Sequence, residues 1–243
     1  MCFGNNSGPQ ERPQPARPAA KPPRTQAGSR PRTHRSVLMQ TMLPAISLQQ
    51  MNVQTITEAC RATGQALSNE PYALIGGAAC SLLGSRRGTY DIDIVVLDGR
   101  KRAVVSQLDN LPEFGVERGS MRTWYNASNG NHYNLDVMEP STIHQQFTGS
   151  TETINVQGIT VLKPVNILNF KCFSYVDRSR PAQKKQNDGR DIRFLLDYMI
   201  QHGERVHNGQ LRFADEDFLV DYISSYPDTK DKWVQIGARR PSR

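Results

Sequence analysis

Three aspartates carry the first chemical signal. Asp91 and Asp93 lie two residues apart in Tyr90-Asp91-Ile92-Asp93-Ile94-Val95-Val96, and Asp136 lies in Tyr133-Asn134-Leu135-Asp136-Val137-Met138. Side chains alternate along a strand, so Asp91 and Asp93 share one face, with Cα atoms about 7 Å apart, while Ile92, Ile94 and Val96 turn into a core. Two carboxylates fixed side by side repel, and the strand is strained unless a proton or a cation intervenes. A hard divalent ion with oxygen ligands resolves the conflict, magnesium first and manganese second. In the second segment Leu135 and Val137 face a core, so Asp136 faces away. If the two strands are neighbours, about 4.8 Å apart, three carboxylates converge. That suffices for two metal ions about 3.5–4 Å apart and an in-line displacement at phosphorus.

Gly76-Gly77 supplies the other half of such a site. The pair follows the apolar run Tyr72-Ala73-Leu74-Ile75 and opens a short helix. Without a Cβ the backbone can press against a phosphate, and a helix start presents free N–H groups. Anion cradle and carboxylates, close in sequence, describe one site for a nucleoside triphosphate, ATP included. Asp-x-Asp alone is common on exposed strand faces, and Gly-Gly after a strand is commonly just a turn; the combination, followed by a third strand aspartate, is far more specific. Arg86 and Arg87 can reach phosphate or stand in a solvated loop. Lys171, beside Leu168, Phe170 and Phe173, can meet a terminal phosphate or snorkel at the surface. Lys184, Lys185, Arg190 and Arg193 read with Asp188 and Asp191 as pairs on a helix surface. His132 and His144 have no partner at ligand spacing and read as surface residues. Trp124 and Tyr125 can line a base or acceptor pocket but read first as core packing, and Trp233 reads as a packing residue.

The elements that must hold these groups are legible as periodicities. Loose helical spacing covers 47–68, with Thr55 or Thr57 as cap. Strands are expected at 72–75, 90–96, 114–117, 122–125 and 133–138, and a strand pair at 154–162 around Gly158. Short helices are expected at 78–83, closed by Gly84, and at 100–110. Beyond Pro164 the pattern is helical. The fold class is therefore α/β, of the α+β kind: a mixed sheet with flanking helices, then a C-terminal helical region. The expected divisions are a basic Pro-rich disordered tail at 1–36, a catalytic domain at 37–163, helices at 164–230 and a basic tail at 231–243.

Taken together, Gly76-Gly77 and Asp91-Ile92-Asp93, with apolar residues on either side, resemble the polymerase-beta-like nucleotidyltransferase superfamily. The resemblance is nearest to its minimal and abortive-infection-type branches. The bridge Leu83-Gly84-Ser85-Arg86-Arg87-Gly88-Thr89 is similar to that family's, where a basic residue and a Thr precede the first metal aspartate. Asp136 falls at the third carboxylate. Lys171 and the stretch Lys184 to Ile192 look like the Lys- and Asp-rich helices that follow the catalytic sheet. The resemblance implies transfer of a nucleoside monophosphate from a nucleoside triphosphate to a hydroxyl acceptor. Asp91 and Asp93 would hold both metals. Asp136 would hold the catalytic one and help deprotonate the acceptor, and Gly76 and Gly77 would hold the triphosphate. Many members have Gly-Ser, whose hydroxyl touches phosphate; Gly77 offers only its N–H.

Composition narrows the alternatives. The chain has 243 residues and a formal charge of +7. Residues 1–36 hold seven of the 15 prolines and seven basic residues against Glu11, and Arg239, Arg240 and Arg243 close the sequence. Removing these ends leaves a slightly acidic body, so the basic pI is no sign of a nucleic-acid-binding domain. No run of about 18 apolar residues exists, so no membrane span is expected. No signal-peptide core precedes the body and Cys2 stands where myristoylation needs glycine, so an intracellular protein, cytoplasmic or nuclear, is expected. Cys2, Cys60, Cys80 and Cys172 are too scattered for zinc or a disulfide framework and read as idle thiols. The acceptor stays open between protein, small molecule and RNA, and the oligomeric state is not encoded. Two rival readings stand beside the enzyme: a non-catalytic nucleotide-binding, antitoxin-like interaction module, and an RNA-modifying transferase tethered to its substrate by the basic tail.

Overall fold

Short alternating runs bounded by turns dictate a sheet, and the computed structural model contains one. It describes residues 44–144, 146–207 and 209–238; the tail expected at 1–36 lies outside the described residues. Seven strands, β1 (Tyr72–Ile75), β2 (Asp91–Val96), β3 (Phe114–Glu117), β4 (Arg122–Asn126), β5 (His132–Met138), β6 (Thr153–Val156) and β7 (Ile159–Leu162), form one sheet. Their order is β3-β4-β5-β2-β1-β7-β6. The sheet is mixed: β2 runs parallel to β5 and β1 parallel to β7, while the other pairs are antiparallel. The expected strand pair at 154–162 is the β6–β7 hairpin.

The central strands are the most apolar. All four residues of β1 are buried, and in β2 Ile92, Ile94, Val95 and Val96 have no exposed surface. Helices α1 (Val53–Ala66), α2 (Gly76–Leu82), α3 (Lys101–Leu108) and α4 (Pro140–Ile143) connect or flank the strands. The first helix begins later than its periodicity suggests. Asn52, not Thr55 or Thr57, is its cap, and the Asn52 side chain accepts from the Thr55 backbone N–H at 2.8 Å. The Thr57 hydroxyl instead donates to Val53 O within the helix, and Leu48 is 91% exposed.

Beyond the sheet come α5 (Pro164–Val176), α6 (Ala182–Gln201), α7 (Glu216–Ser225) and α8 (Lys230–Gln235). Helix α6 packs on α5, on α2 and on α8. It is the element that joins the C-terminal helices to the start of the sheet. Where a basic tail was expected from 231, α8 continues, with Trp233 buried against Phe218 and Tyr222 and Ile236 also buried. Apolar burial outweighs the flanking lysines there. Cys60, Cys80 and Cys172 are free and buried, and burial pushes the Cys60 thiol up to about 12, so they are inert under ordinary conditions.

Candidate active site

The parallel ladder between β2 and β5 sets Asp93 opposite Asp136, two residues along from the Asp91–Asn134 pair. The alternation that buries Ile92, Leu135 and Val137 turns all three carboxylates to one face. Asp91, Asp93 and Asp136 each offer an oxygen, and these lie within 4.8 Å of one another. Burial, then the charges of Asp91 and Asp136, push the Asp93 carboxyl well above its usual range, while Lys171 and Lys184 oppose the shift. An all-oxygen set that repels itself fits a hard divalent cation such as magnesium.

The glycines are explained first by this packing. Gly76 follows β1, whose Ile75 is the register partner of Asp93. Gly76 has φ +68°, and a Cβ there would stand 2.0 Å from Asp93 Oδ2. At Gly77 a Cβ would stand 2.7 Å from Thr89 Oγ1 and 2.8 Å from an Arg87 nitrogen. Bare backbone is therefore what lets α2 start against the carboxylates. Thr89, buried, donates from Oγ1 to Asp91 Oδ1 at 3.0 Å.

A cavity of about 280 Å³ opens at this point. The three aspartates line it with Gly77, Arg87, Lys171, Arg180, Lys184 and Asn187, and Tyr90, Met138 and Phe170 add apolar surface. Beneath it runs a chain of alternating charges. Arg87 grips Asp191 with Nε and Nη2, at 2.8 and 2.7 Å. Lys171 Nζ lies 2.8 Å from both Asp191 and Asp188. Arg180 completes the row on Asp188. Burial alone would pull the Lys171 amine down, but Asp191 and Asp188 outweigh it and hold it above its ordinary value. Burial alone would raise Asp191; Lys171 and Arg87 outweigh that and hold it below.

No family model matches the sequence, and a search of the curated proteins finds no match. Solved structures do match. An antigenic nucleotidyltransferase-like protein from Paracoccidioides brasiliensis superposes with a TM-score of 0.57 at 21% identity, covering 79% of this chain and 97% of its own. The chain has the nucleotidyltransferase fold. JHP933 from Helicobacter pylori is a more distant likeness, with a TM-score of 0.48 and 18% identity over 78% of this chain and 79% of that one.

On this nucleotidyltransferase fold the residues singled out in the sequence fall into two groups. Asp91, Asp93, Asp136, Gly77, Arg87 and Lys171 line one cavity, with Gly76 packed behind Asp93. Arg86 is exposed and is not among the residues lining that cavity. Arg87 and Lys171 are already committed to carboxylates. Asp188 and Asp191, expected on a helix surface, are 3% and 1% exposed and sit at the centre of the charge row. The sequence did carry a signal for this: Asp188, Asp191 and Ile192, Leu195 and Met199 form one helical stripe, all buried. Lys184, one turn before Asp188, lines the cavity and forms no ion pair among the described residues. His132 bonds Asn126, His144 packs on Phe173, and Trp124 and Tyr125 are buried.

Proposed function

We propose that this protein is an enzyme that moves a nucleoside monophosphate from a nucleoside triphosphate to a hydroxyl acceptor. The observation that carries the reading is the triad: three carboxylates from two adjacent strands, gathered within 4.8 Å on the wall of a cavity that also presents cations. Such a cluster is unstable by itself and useful around a metal-bound polyphosphate. Asp91, Asp93 and Asp136 would hold magnesium. The bound ion would neutralise the phosphate charge that builds up during transfer.

The remaining work falls to the chain. Gly77 brings backbone to the cavity wall, where the first amides of α2 have no intrahelical acceptor. Lys184 takes the polyphosphate, in place of Arg86, Arg87 and Lys171, which were the candidates for that contact in the sequence. The acceptor oxygen attacks the α-phosphorus, the bond to the bridging oxygen breaks, and pyrophosphate leaves. Asp136, the most exposed of the three carboxylates, receives the hydroxyl proton. Positioning and charge neutralisation account for the rate, as in phosphoryl transfer generally.

The test is incubation with each α-labelled nucleoside triphosphate and magnesium or manganese, reading label on the protein, on added RNA and on small polyols. Label transfer and pyrophosphate release that vanish in Asp91→Asn are expected. Calorimetry showing no binding of magnesium with a non-hydrolysable triphosphate would defeat the proposal.

A further inference from the structure

The buried charge row has a direction. Asp191 sits on α6, 104 residues from Arg87 in sequence, and holds its guanidinium at both ends of the fork. The third arm of the same guanidinium, Nη1, donates to Gly88 O at 2.9 Å. That peptide leads directly into Thr89, whose hydroxyl donates to Asp91. The Ser81 hydroxyl of α2 donates to Arg87 O at 2.8 Å, and Gly77 lies against both the Arg87 side chain and Thr89. Arg87 thus uses each of its three nitrogens to hold chain.

We propose that Asp191 and Arg87 are positioning residues for the metal triad: Asp191 fixes Arg87, Arg87 fixes the Gly88–Thr89 peptide, and Thr89 sets the Asp91 carboxylate. The inference rests on the reading of Asp91, Asp93 and Asp136 as cation ligands, and it assigns Asp191 and Arg87 a task other than holding the metal themselves. Fixing a ligand through its hydrogen-bond partner is how outer groups tune an ion site. A guanidinium suits this use because its rigid planar fork holds one carboxylate with two bonds and still presents a donor sideways. A lysine has the charge without the geometry.

The test is manganese binding without nucleotide, read from the free-ion electron paramagnetic resonance signal, on wild type, Arg87→Lys, Thr89→Val, Asp191→Asn and the Thr89→Val/Asp191→Asn pair. Circular dichroism checks the fold. Arg87→Lys keeps the charge and loses the fork; Thr89→Val keeps the shape and loses the hydroxyl, so these two carry the test even if Asp191→Asn does not fold. Each single variant is expected to weaken manganese binding by about tenfold. The pair is expected to bind no more weakly than its worse member, because both changes break one path. Wild-type affinity in folded Arg87→Lys, or full additivity in the pair, would overturn the brace. A wild-type chain that binds no manganese would instead overturn the premise that the three aspartates form an ion site by themselves, and the brace with it, whereas the proposed function falls only if no metal binds with the triphosphate either.

Discussion

Asp93 and Asp136 are register partners in the parallel ladder of β2 and β5. Neither can retreat from the other without breaking the pairing of the two strands on which the centre of the sheet is built. Asp91, two residues along β2, adds a third charge to the same face. The fold therefore stores electrostatic repulsion at one point and holds it there with buried Ile92, Ile94, Leu135 and Val137.

That stored repulsion makes the sign of one substitution depend on the medium. Asp93 is pushed up by burial first and by Asp91 and Asp136 next. Asp93→Asn removes a disfavoured charge, so the metal-free variant is expected to melt above wild type. With millimolar magnesium the order reverses, because only wild type gains from binding the ion. Melting curves in chelator and in magnesium read both. A variant that is less stable than wild type in chelator would contradict the repulsion argument.

Gly76→Ala and Gly84→Ala separate strain from site damage. Both glycines have positive φ, +68° and +109°, so each alanine costs about 1 kcal/mol of backbone strain. Around Gly84 a Cβ meets nothing within 4 Å, whereas at Gly76 it would meet the Asp93 carboxylate. Gly84→Ala is expected to melt a few degrees lower with magnesium binding intact. Gly76→Ala is expected to lose magnesium binding as well. Calorimetric titration of the folded variants distinguishes the two, and equal affinities would show that Asp93 moves aside at little cost.

Much of this was legible because strands and their facing residues are local patterns. The period-two alternation of Asp91 to Val96 and of Tyr133 to Met138 assigned the site face before any pairing was known, and β1, β2, β3 and β5 fall within a residue of where the pattern put them. What alternation cannot give is a partner far along the chain. Asp188 and Asp191 read as solvated because charge on a helix is usually solvated. Their neutralising partners, Arg87 and Lys171, come from other elements. The apolar stripe running through them was the available clue. Asn52 was missed as a helix cap for a smaller reason: the helical pattern continued upstream through Leu48, which the fold leaves in water.

The charge row predicts an acid limb of stability. Asp191 is held below its ordinary value, near 4, after Lys171 and Arg87 overcome the effect of burial. A carboxyl with a depressed folded-state pKa contributes stability that is complete above the unfolded value and disappears as pH falls through the folded one. Asp191→Asn is expected to cost about 3 kcal/mol at pH 7, since it leaves buried Lys171 and half-buried Arg87 short of a partner. As pH falls below the ordinary carboxyl value the urea midpoints of variant and wild type should draw together. A difference that stays constant for as far down in pH as both proteins remain folded would mean that the carboxylate charge is not what stabilises the row.

Lys171 and Lys184 line the same cavity and are expected to behave differently. Lys171 is buried between Asp188 and Asp191, so Lys171→Met leaves two carboxylates under-neutralised and should act first on stability, by about 3 kcal/mol. Lys184 is exposed on the first turn of α6, and Lys184→Met should leave Tm within about 1 °C of wild type. Its effect should appear in substrate binding. Losing one positive charge on the polyphosphate should raise KM for the nucleotide about tenfold, or about 1.4 kcal/mol, with kcat much less affected. The wild-type KM should climb with salt more steeply than that of the variant, because screening acts on the contact the variant lacks. Steady-state kinetics at two ionic strengths reads all three quantities. An unchanged KM in Lys184→Met, with Lys171→Met folded and defective in nucleotide binding, would return the phosphate contact to the buried lysine.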